Sequence, residues 1–272
     1  MTTTRTYTAQ PGISVLDLTQ QTGRIRINAS RITKAITVTV TTGADKGPSA
    51  DAVNNATIRE SNDRLVVHVE GRAVSGSNVV VTGGGSVVMS SGGSISIGGN
   101  NFGSINVGRG GGRVIVNGVD VTDAVNAGGG GAPTEIETTV TMPATGEVLL
   151  STSSADTVVA GELAVLDYGG ASGDLRAETV GELNLSMSSG NAKVGRVDAR
   201  LTANLSSGTL KIGEYAGAEA SVSLTSGTAK VAATRESSGR FSIGVTSGSA
   251  RVTGAGHLDV RQRMSSGSIR VS

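Results

Sequence analysis

The phrase Met187-Ser188-Ser189-Gly190 recurs at a nearly constant interval through the last third of the sequence. Its later copies are Leu205-Ser206-Ser207-Gly208, Leu224-Thr225-Ser226-Gly227, Val245-Thr246-Ser247-Gly248 and Met264-Ser265-Ser266-Gly267. By subtraction, the glycines of successive copies are 18, 19, 21 and 19 residues apart. A fixed period of about twenty residues predicts a solenoid, in which each repeat is one coil that buries its apolar face only against neighbouring coils.

Apolar and polar residues alternate on both sides of each glycine, which is the period of a β-strand. Around Gly208, for example, the apolar positions are Leu205, Leu210 and Ile212. Each phrase is therefore predicted to form a strand, a corner and a second strand, with like residues stacked in columns. The sequence predicts an all-β fold, a β-helix (β-solenoid) with about 18–21 residues per coil.

The glycine of each phrase is predicted to be the structural corner. Glycine adopts the positive φ of a tight bend, which a Cβ would resist. The predicted corner residues, including a weaker copy of the phrase at Ser172-Gly173, are Gly173, Gly190, Gly208, Gly227, Gly248 and Gly267.

A cation follows every corner glycine at a distance of three residues. We call this set the basic column: Arg176, Lys193, Lys211, Lys230, Arg251 and Arg270. With coils spaced by about 4.8 Å, neighbouring charges repel by about 0.9 kcal/mol even at the dielectric constant of water. Two interpretations stay open: the column is inherited from repeat duplication and keeps the strands soluble, or it faces an anion.

Three regions follow from composition and pattern. Residues 1–72 are predicted to form an N-terminal β block, which is either the start of the solenoid or its cap. Residues 73–133 are predicted to be a Gly-rich insert of strands and turns with a hairpin at Asn117-Gly118, and residues 134–272 the regular coils. Helical periods with caps are absent, so no helix is predicted.

Composition excludes several kinds of chemistry. The chain has no cysteine and two histidines without metal-ligand spacing, so we predict no disulfide, metal or cofactor. Paired acids and aromatic sugar platforms are missing, so no catalytic residue or small-molecule substrate is expected, and a polysaccharide-active enzyme is the least favoured function. No apolar run has the length of a signal peptide or membrane span, and the expected location is the cytoplasm, including the periphery of a membrane.

The corner phrase continues as Gly190-Asn191-Ala192-Lys193-Val194, and related motifs occur at Gly23-Arg24-Ile25-Arg26-Ile27 and Val140-Thr141-Met142-Pro143. Together they resemble the putative-adhesin or toast-rack β-helix family of bacteria over about residues 10–72 and 134–272. The resemblance implies a structural, adhesin-like or cell-envelope stress role. Members commonly have Asp directly after the corner glycine, and among the six corners only Asp174 keeps it. This departure leaves the basic column without acidic partners and favours an anionic partner.

The first hypothesis is a non-enzymatic scaffold that forms a homo-oligomer through its terminal coil and places the basic column on an anionic membrane surface or protein. The candidate edge is Ser268-Ile269-Arg270-Val271-Ser272, whose unpaired backbone groups would accept another strand unless the N-terminal block covers them. Nucleic acid is disfavoured, because stacking aromatics are scarce and the net charge is only +1.

The second hypothesis is a recognition module for a glycan or protein. Its ligand would lie on exposed polar columns of the strand before the corner: Ser186, Ser188, Asn204, Ser206, Ser223 and Thr225.

Overall fold

The computed structural model describes residues 2–61, 63–70 and 135–272 and, between them, the backbone of four short strands. The chain divides into two compact units, one comprising Met1–Arg72 with Glu135–Ser272 and the other Ala73–Thr134. Each unit is described by itself.

The N-terminal part of the first unit contains short strands and one short helix. These are β1 (Thr3–Thr8), β2 (Val15–Gln20), β3 (Arg24–Ser30), β4 (Thr37–Thr42), α1 (Pro48–Asn54), β5 (Thr57–Ser61) and β6 (Arg64–Val69). The prediction that the chain has no helix was wrong. Pro48 lies in the first turn of α1, where its missing N–H is not needed, and Ala50, Ala52 and Val53 are buried. The seven residues of α1 are too few to show a helical period in the sequence.

The second unit contributes four short strands, described here by backbone alone. β7 (Val79–Thr82) pairs in parallel with β8 (Ile95–Gly98). β9 (Ile115–Val116) pairs antiparallel with β10 (Val119–Asp120), as the Asn117-Gly118 hairpin predicts.

The rest of the first unit is built from strands alone. They are β11 (Ile136–Pro143), β12 (Glu147–Thr152), β13 (Asp156–Gly170), β14 (Asp174–Met187), β15 (Asn191–Leu205), β16 (Thr209–Tyr215), β17 (Glu219–Leu224), β18 (Thr228–Ala233), β19 (Arg240–Val245), β20 (Ser249–Thr253), β21 (Asp259–Met264) and β22 (Ser268–Val271). The predicted all-β solenoid is confirmed, with about seven turns.

The coils stack as two parallel ladders that meet at the corners. The first ladder, before the corner, runs β6, β2, β12, β13, β14, β15, β17, β19 and β21. The second ladder, after the corner, runs β11, β3, β13, β14, β15, β16, β18, β20 and β22. The long strands β13, β14 and β15 belong to both ladders.

The N-terminal segment is interleaved with the later coils. β2 lies between β6 and β12, and β3 lies between β11 and β13. In the coil of β2 and β3 the corner is residues 21–23, whereas residues 70–135 connect the equivalent strands β6 and β11. Residues 70–135 therefore connect two strands that three residues connect in the next coil.

Antiparallel strands close the end of the stack at which β6 and β11 lie. β4 pairs antiparallel with β11 and with β1, and β5 pairs antiparallel with β6. At the other end, within the described residues, β21 and β22 pair with β19 and β20 alone. The N-terminal block therefore does not cover the last coil, which was the alternative left open above.

The core is made of the predicted inward columns. One column runs Met187, Leu205, Leu224 and Val245, each at most 3% exposed, and a second runs Val194, Ile212, Val231 and Val252. Tyr215 of β16 and Phe241 of β19 come from successive coils and contact each other in the core, with their rings edge to face at a centroid distance of 5.7 Å. Among the described residues, no helix is long and apolar enough to cross a membrane.

Candidate anion-binding surface

The structure places the six residues of the basic column in one line across successive coils. Arg176 pairs in register with Lys193, and the line continues through Lys211, Lys230, Arg251 and Arg270. Neighbouring strands lie about 4.8 Å apart, so the five intervals make the column about 24 Å long. The column occupies the outward face of the second ladder, directly after the corners.

All six cations are exposed, and none forms an ion pair or hydrogen bond with another residue of the described chain. Asp174, the acid retained after a corner glycine, is not paired with Arg176. Its Oδ1 instead accepts hydrogen bonds from the Asn191 backbone N–H at 3.2 Å and from Asn191 Nδ2 at 3.0 Å. The repulsion along the column is therefore not offset by neighbouring carboxylates.

A column of the first ladder shows the opposite arrangement, with charges that alternate from coil to coil. We call it the alternating column: Glu182, Arg200, Glu219, Arg240 and Asp259. Arg200 forms an ion pair with Glu219 at 3.4 Å, and Arg240 forms one with Asp259 at 3.7 Å. The repeats of this chain can therefore carry opposite charges at one position in successive coils, even though they share a common pattern.

Arg196 is also compensated, although it lies on the second ladder. Its guanidinium contacts the carboxylates of Glu236, Asp198 and Glu214. These hydrogen bonds, that of Glu236 above all, raise the pKa of Arg196 above its usual range. Unpaired cations are thus concentrated in the basic column rather than spread evenly over the solenoid.

The line of unpaired cations ends at the N-terminal side of the basic column. Val158 stands in register with Arg176 and separates it from Arg26, which has the same offset from Gly23. Arg26 pairs with Glu137 at 2.8 Å, and the neighbouring Arg24 pairs with Glu135 at 3.4 Å. The stretch of unpaired cations therefore begins at Arg176.

A row of short polar side chains runs beside the basic column. This polar row occupies the position directly after the last five corner glycines, Asn191, Thr209, Thr228, Ser249 and Ser268, and Asp174 holds the equivalent position after Gly173. Two of its hydroxyls, those of Thr228 and Ser249, lie 3.3 Å apart.

One groove lies in the lane formed by these rows, and a second lies beside the N-terminal end of the basic column. A groove of about 290 Å³ is lined by Thr228, Ala229, Lys230, Ser249, Ala250, Arg251, Ser268 and Arg270. A second, of about 400 Å³, is lined by Arg24, Arg26, Asn28, Asp156, Thr157, Val158, Asp174 and Arg176. The sequence indicated the cations but not this concave lane, because its depth depends on stacking of separate coils.

The corner glycines are required for two reasons, of which the sequence indicated one. Gly173, Gly190 and Gly208 have φ of 107°, 109° and 118°, as predicted. The predicted positive φ was wrong for Gly227, Gly248 and Gly267. At these corners a Cβ would instead collide with the carbonyl oxygen of the preceding corner, at 2.6 Å for Gly227 and 2.5 Å for Gly267.

The candidate self-association edge lies on β22. Ser268, Ile269, Arg270 and Val271 pair with β20, and the Ser272 N–H donates to Val252 O at 3.0 Å. In the same coil Met264 occupies the inward column of Val245 but is 55% exposed. The apolar interior of this coil is therefore partly accessible in the structure.

The polar columns of the recognition hypothesis lie on the outward face of the first ladder. The six residues, all exposed, are Ser186, Ser188, Asn204, Ser206, Ser223 and Thr225. Alternating threonines also form rows on the antiparallel strands β1 and β4, where the hydroxyls of Thr4 and Thr41 lie 2.9 Å apart. These rows support the capping strands through cross-strand pairs, and sequence analysis missed them because β1 and β4 are not neighbours in the chain.

Among the described residues, one serine–histidine pair has catalytic residue types, and its contacts are structural. His257 Nε2 lies 2.9 Å from Ser237 O and 3.1 Å from Ser237 Oγ, while Ser237 Oγ donates to Thr234 O at 2.6 Å. An Nε2–H that donates to the Ser237 carbonyl cannot accept a proton from the Ser237 hydroxyl. Within the described residues, no group of three or more His, Asp or Glu residues has the geometry of a metal site.

Comparison with known proteins gives structural neighbours only. No family model and no curated protein sequence matches the chain. Among solved structures, it is similar to a putative adhesin of Bacteroides fragilis (10% identity, TM-score 0.43) that covers all of this chain, with 97% of the other chain matched.

Two further neighbours have the same kind of name. A putative adhesin of Parabacteroides merdae is 11% identical with TM-score 0.39, and the match covers 100% of this chain and 96% of that one. A putative cell adhesion protein of Clostridium sporogenes is 10% identical with TM-score 0.36, covering 100% and 99%. All three are at most 11% identical to this chain, with TM-scores of at most 0.43.

Proposed function

We propose that the protein is a non-enzymatic, adhesin-like β-solenoid that binds an anionic partner through the basic column. The observation that carries the proposal is the contrast between two columns of one molecule. The alternating column neutralises its charges from coil to coil, whereas the basic column keeps six unpaired cations in register. A partner that supplies negative charge would relieve that repulsion, and binding would be strongest at low ionic strength.

The test compares two triple variants with the same net charge. The column variant carries Lys211→Gln, Lys230→Gln and Arg251→Gln. The matched variant carries Lys34→Gln, Lys46→Gln and Arg235→Gln, which remove exposed cations that have no ion pair among the described residues and lie outside the column. Each variant changes the formal net charge from +1 to −2, because three positive charges are lost.

The measurement is the salt concentration that elutes each protein from a sulfonate resin. We expect the column variant to elute well before the matched variant, because only the column presents several cations to one surface. Equal elution of the two variants would contradict the proposal, since net charge alone would then explain retention.

Self-association through the coil of β21 and β22 is the second part of the proposal. It is supported by the partly exposed inward positions Met264, Ile269 and Val271. It is independent of the basic column and is tested separately below.

A further inference from the structure

We infer that the anionic partner is a linear acidic polysaccharide, carrying carboxylate or sulfate groups, that lies parallel to the solenoid axis. The inference rests on the proposed function and names the class of partner. It follows from the width of the column, its concave lane and the residues beside it.

The basic column is one cation wide and six cations long. Its cations repeat along the solenoid axis at the strand spacing of about 4.8 Å, over a total of about 24 Å. A compact anion would meet two neighbouring cations at most, since the third lies about 10 Å from the first. An extended polymer with an acidic group at regular intervals would meet the cations of every coil, so its affinity would rise with its length.

The lane beside the column is concave rather than flat. The groove of about 290 Å³ is bounded on one side by Lys230, Arg251 and Arg270 and on the other by hydroxyls of the polar row. A single extended chain enters such a lane, whereas the plane of a bilayer would rest on its rims. The hydroxyls of Thr228, Ser249 and Ser268 offer both donors and acceptors to the neutral hydroxyls of a sugar.

The side chains of the lane favour a polysaccharide over a membrane or a nucleic acid as the partner. Among the described residues that line the two grooves, the exposed large hydrophobic residue is Val158, at 38% exposure in the N-terminal groove, so there is little apolar surface to enter lipid. The large aromatic side chains Tyr168, Tyr215 and Phe241 are fully buried and cannot stack on bases. Charge and hydroxyl groups are what the described lane presents.

The experiment measures binding of size-fractionated oligogalacturonates, from dimers to chains longer than the column, by isothermal titration at low ionic strength. We expect the association constant to rise with oligomer length and to level off once the chain spans about 24 Å. The column variant should lose about tenfold or more for the long oligomers, while the matched variant should stay within about twofold of the parent.

Three outcomes would overturn the inference. Equal association constants for dimers and long chains would mean a site for a small anion. Binding to phosphatidylserine vesicles without binding to long oligogalacturonates would mean a membrane partner, with the proposed function intact. Absence of binding to both probes, together with equal elution of the two triple variants from the sulfonate resin, would refute the proposed function as well.

Discussion

At the scale of single residues, the corners depend on the absence of a Cβ. Successive corner glycines stack so closely that the carbonyl oxygen of one lies where the Cβ of the next would be. The backbone hydrogen bonds continue through the corner, for example from Thr228 N–H to Gly208 O at 2.9 Å. A substitution at one corner therefore disturbs two coils.

The first prediction concerns Gly208→Ala. Gly208 combines a φ of 118° with a steric collision against Gly190 O, so we expect the free energy of unfolding to fall by about 2 kcal/mol or more. The matched variant is Gly244→Ala, since Gly244 lies within β19 and its nearest neighbour atom would be 4.0 Å from the new Cβ. Gly244→Ala should change the free energy by less than about 1 kcal/mol. Urea unfolding measures both, and equal losses would show that corner geometry is not the cause.

The second prediction concerns the buried phenol of Tyr215. Its hydroxyl has no hydrogen-bond partner in the described structure, and burial, with a smaller contribution from Glu219, raises its pKa from 10.0 to about 12. The unfolded chain therefore loses this proton at lower pH than the folded protein, and stability that is fully present below pH 10 is lost as pH rises through about 12.

Tyr215→Phe removes this titrating group without removing a hydrogen bond. We expect the variant to match the parent protein at pH 8 within about 1 kcal/mol and to show a shallower loss of stability above pH 10. Urea unfolding across this pH range measures the slope. An unchanged slope in the variant would assign the alkaline loss to other groups.

At the scale of strands and columns, the same substitution should have opposite effects in the two charged columns. Lys211→Glu places an acid between Lys193 and Lys230, so two repulsions become attractions. Arg200→Glu places an acid between Glu182 and Glu219, so an ion pair becomes a repulsion. Opposite charges across strands stabilise by about 0.2–1 kcal/mol per pair, and like charges destabilise.

The third prediction is therefore that Lys211→Glu raises the unfolding free energy by a few tenths of a kcal/mol or more, whereas Arg200→Glu lowers it by about 1 kcal/mol. Thermal and urea unfolding at low salt measure both changes, and added salt should shrink them. Loss of stability in Lys211→Glu would mean that the basic column is not strained. If Lys211→Glu is more stable than the parent but is retained more weakly on sulfonate resin, the basic column favours binding and lowers stability.

The basic column was predictable from the sequence because its cation recurs once in every coil from Arg176 to Arg270 at a fixed distance from the corner glycine, and alternation along the strand decides which way the side chain points. Lys211 and Ile212 are assigned to opposite faces by alternation alone. The interleaving of β2 and β3 between later strands was not predictable, because it depends on pairing across more than a hundred intervening residues, such as Arg24 with Glu137. The grooves were missed for the same reason, since their walls come from different coils.

At the scale of the whole first unit, the two ends of the stack differ. Antiparallel strands β1, β4 and β5 follow the coil of β6 and β11, and helix α1 packs on β1 and β4. The coil of β21 and β22 pairs on one side within the described residues. Its two strands also differ from each other. On β21 the polar Gln262 stands between the inward Val260 and Met264, whereas the inward positions Ile269 and Val271 of β22 are both apolar. We therefore test association at β22, whose inward positions are uninterrupted by a polar residue.

The fourth prediction is that the 272-residue chain self-associates as its concentration rises and that Ile269→Lys abolishes the association. A lysine at this inward position brings charge to an apolar strand face, which is how natural edge strands prevent pairing. The matched variant Ser268→Lys adds the same charge on the outward face of the same strand and should associate like the parent. Sedimentation velocity over a concentration series measures the mass, and circular dichroism confirms that the strands persist. The prediction is wrong if the parent chain stays monomeric at every concentration, or if Ile269→Lys and Ser268→Lys lose association equally. In either case β22 is not the association surface, and the basic column of one molecule would bind the anionic partner by itself.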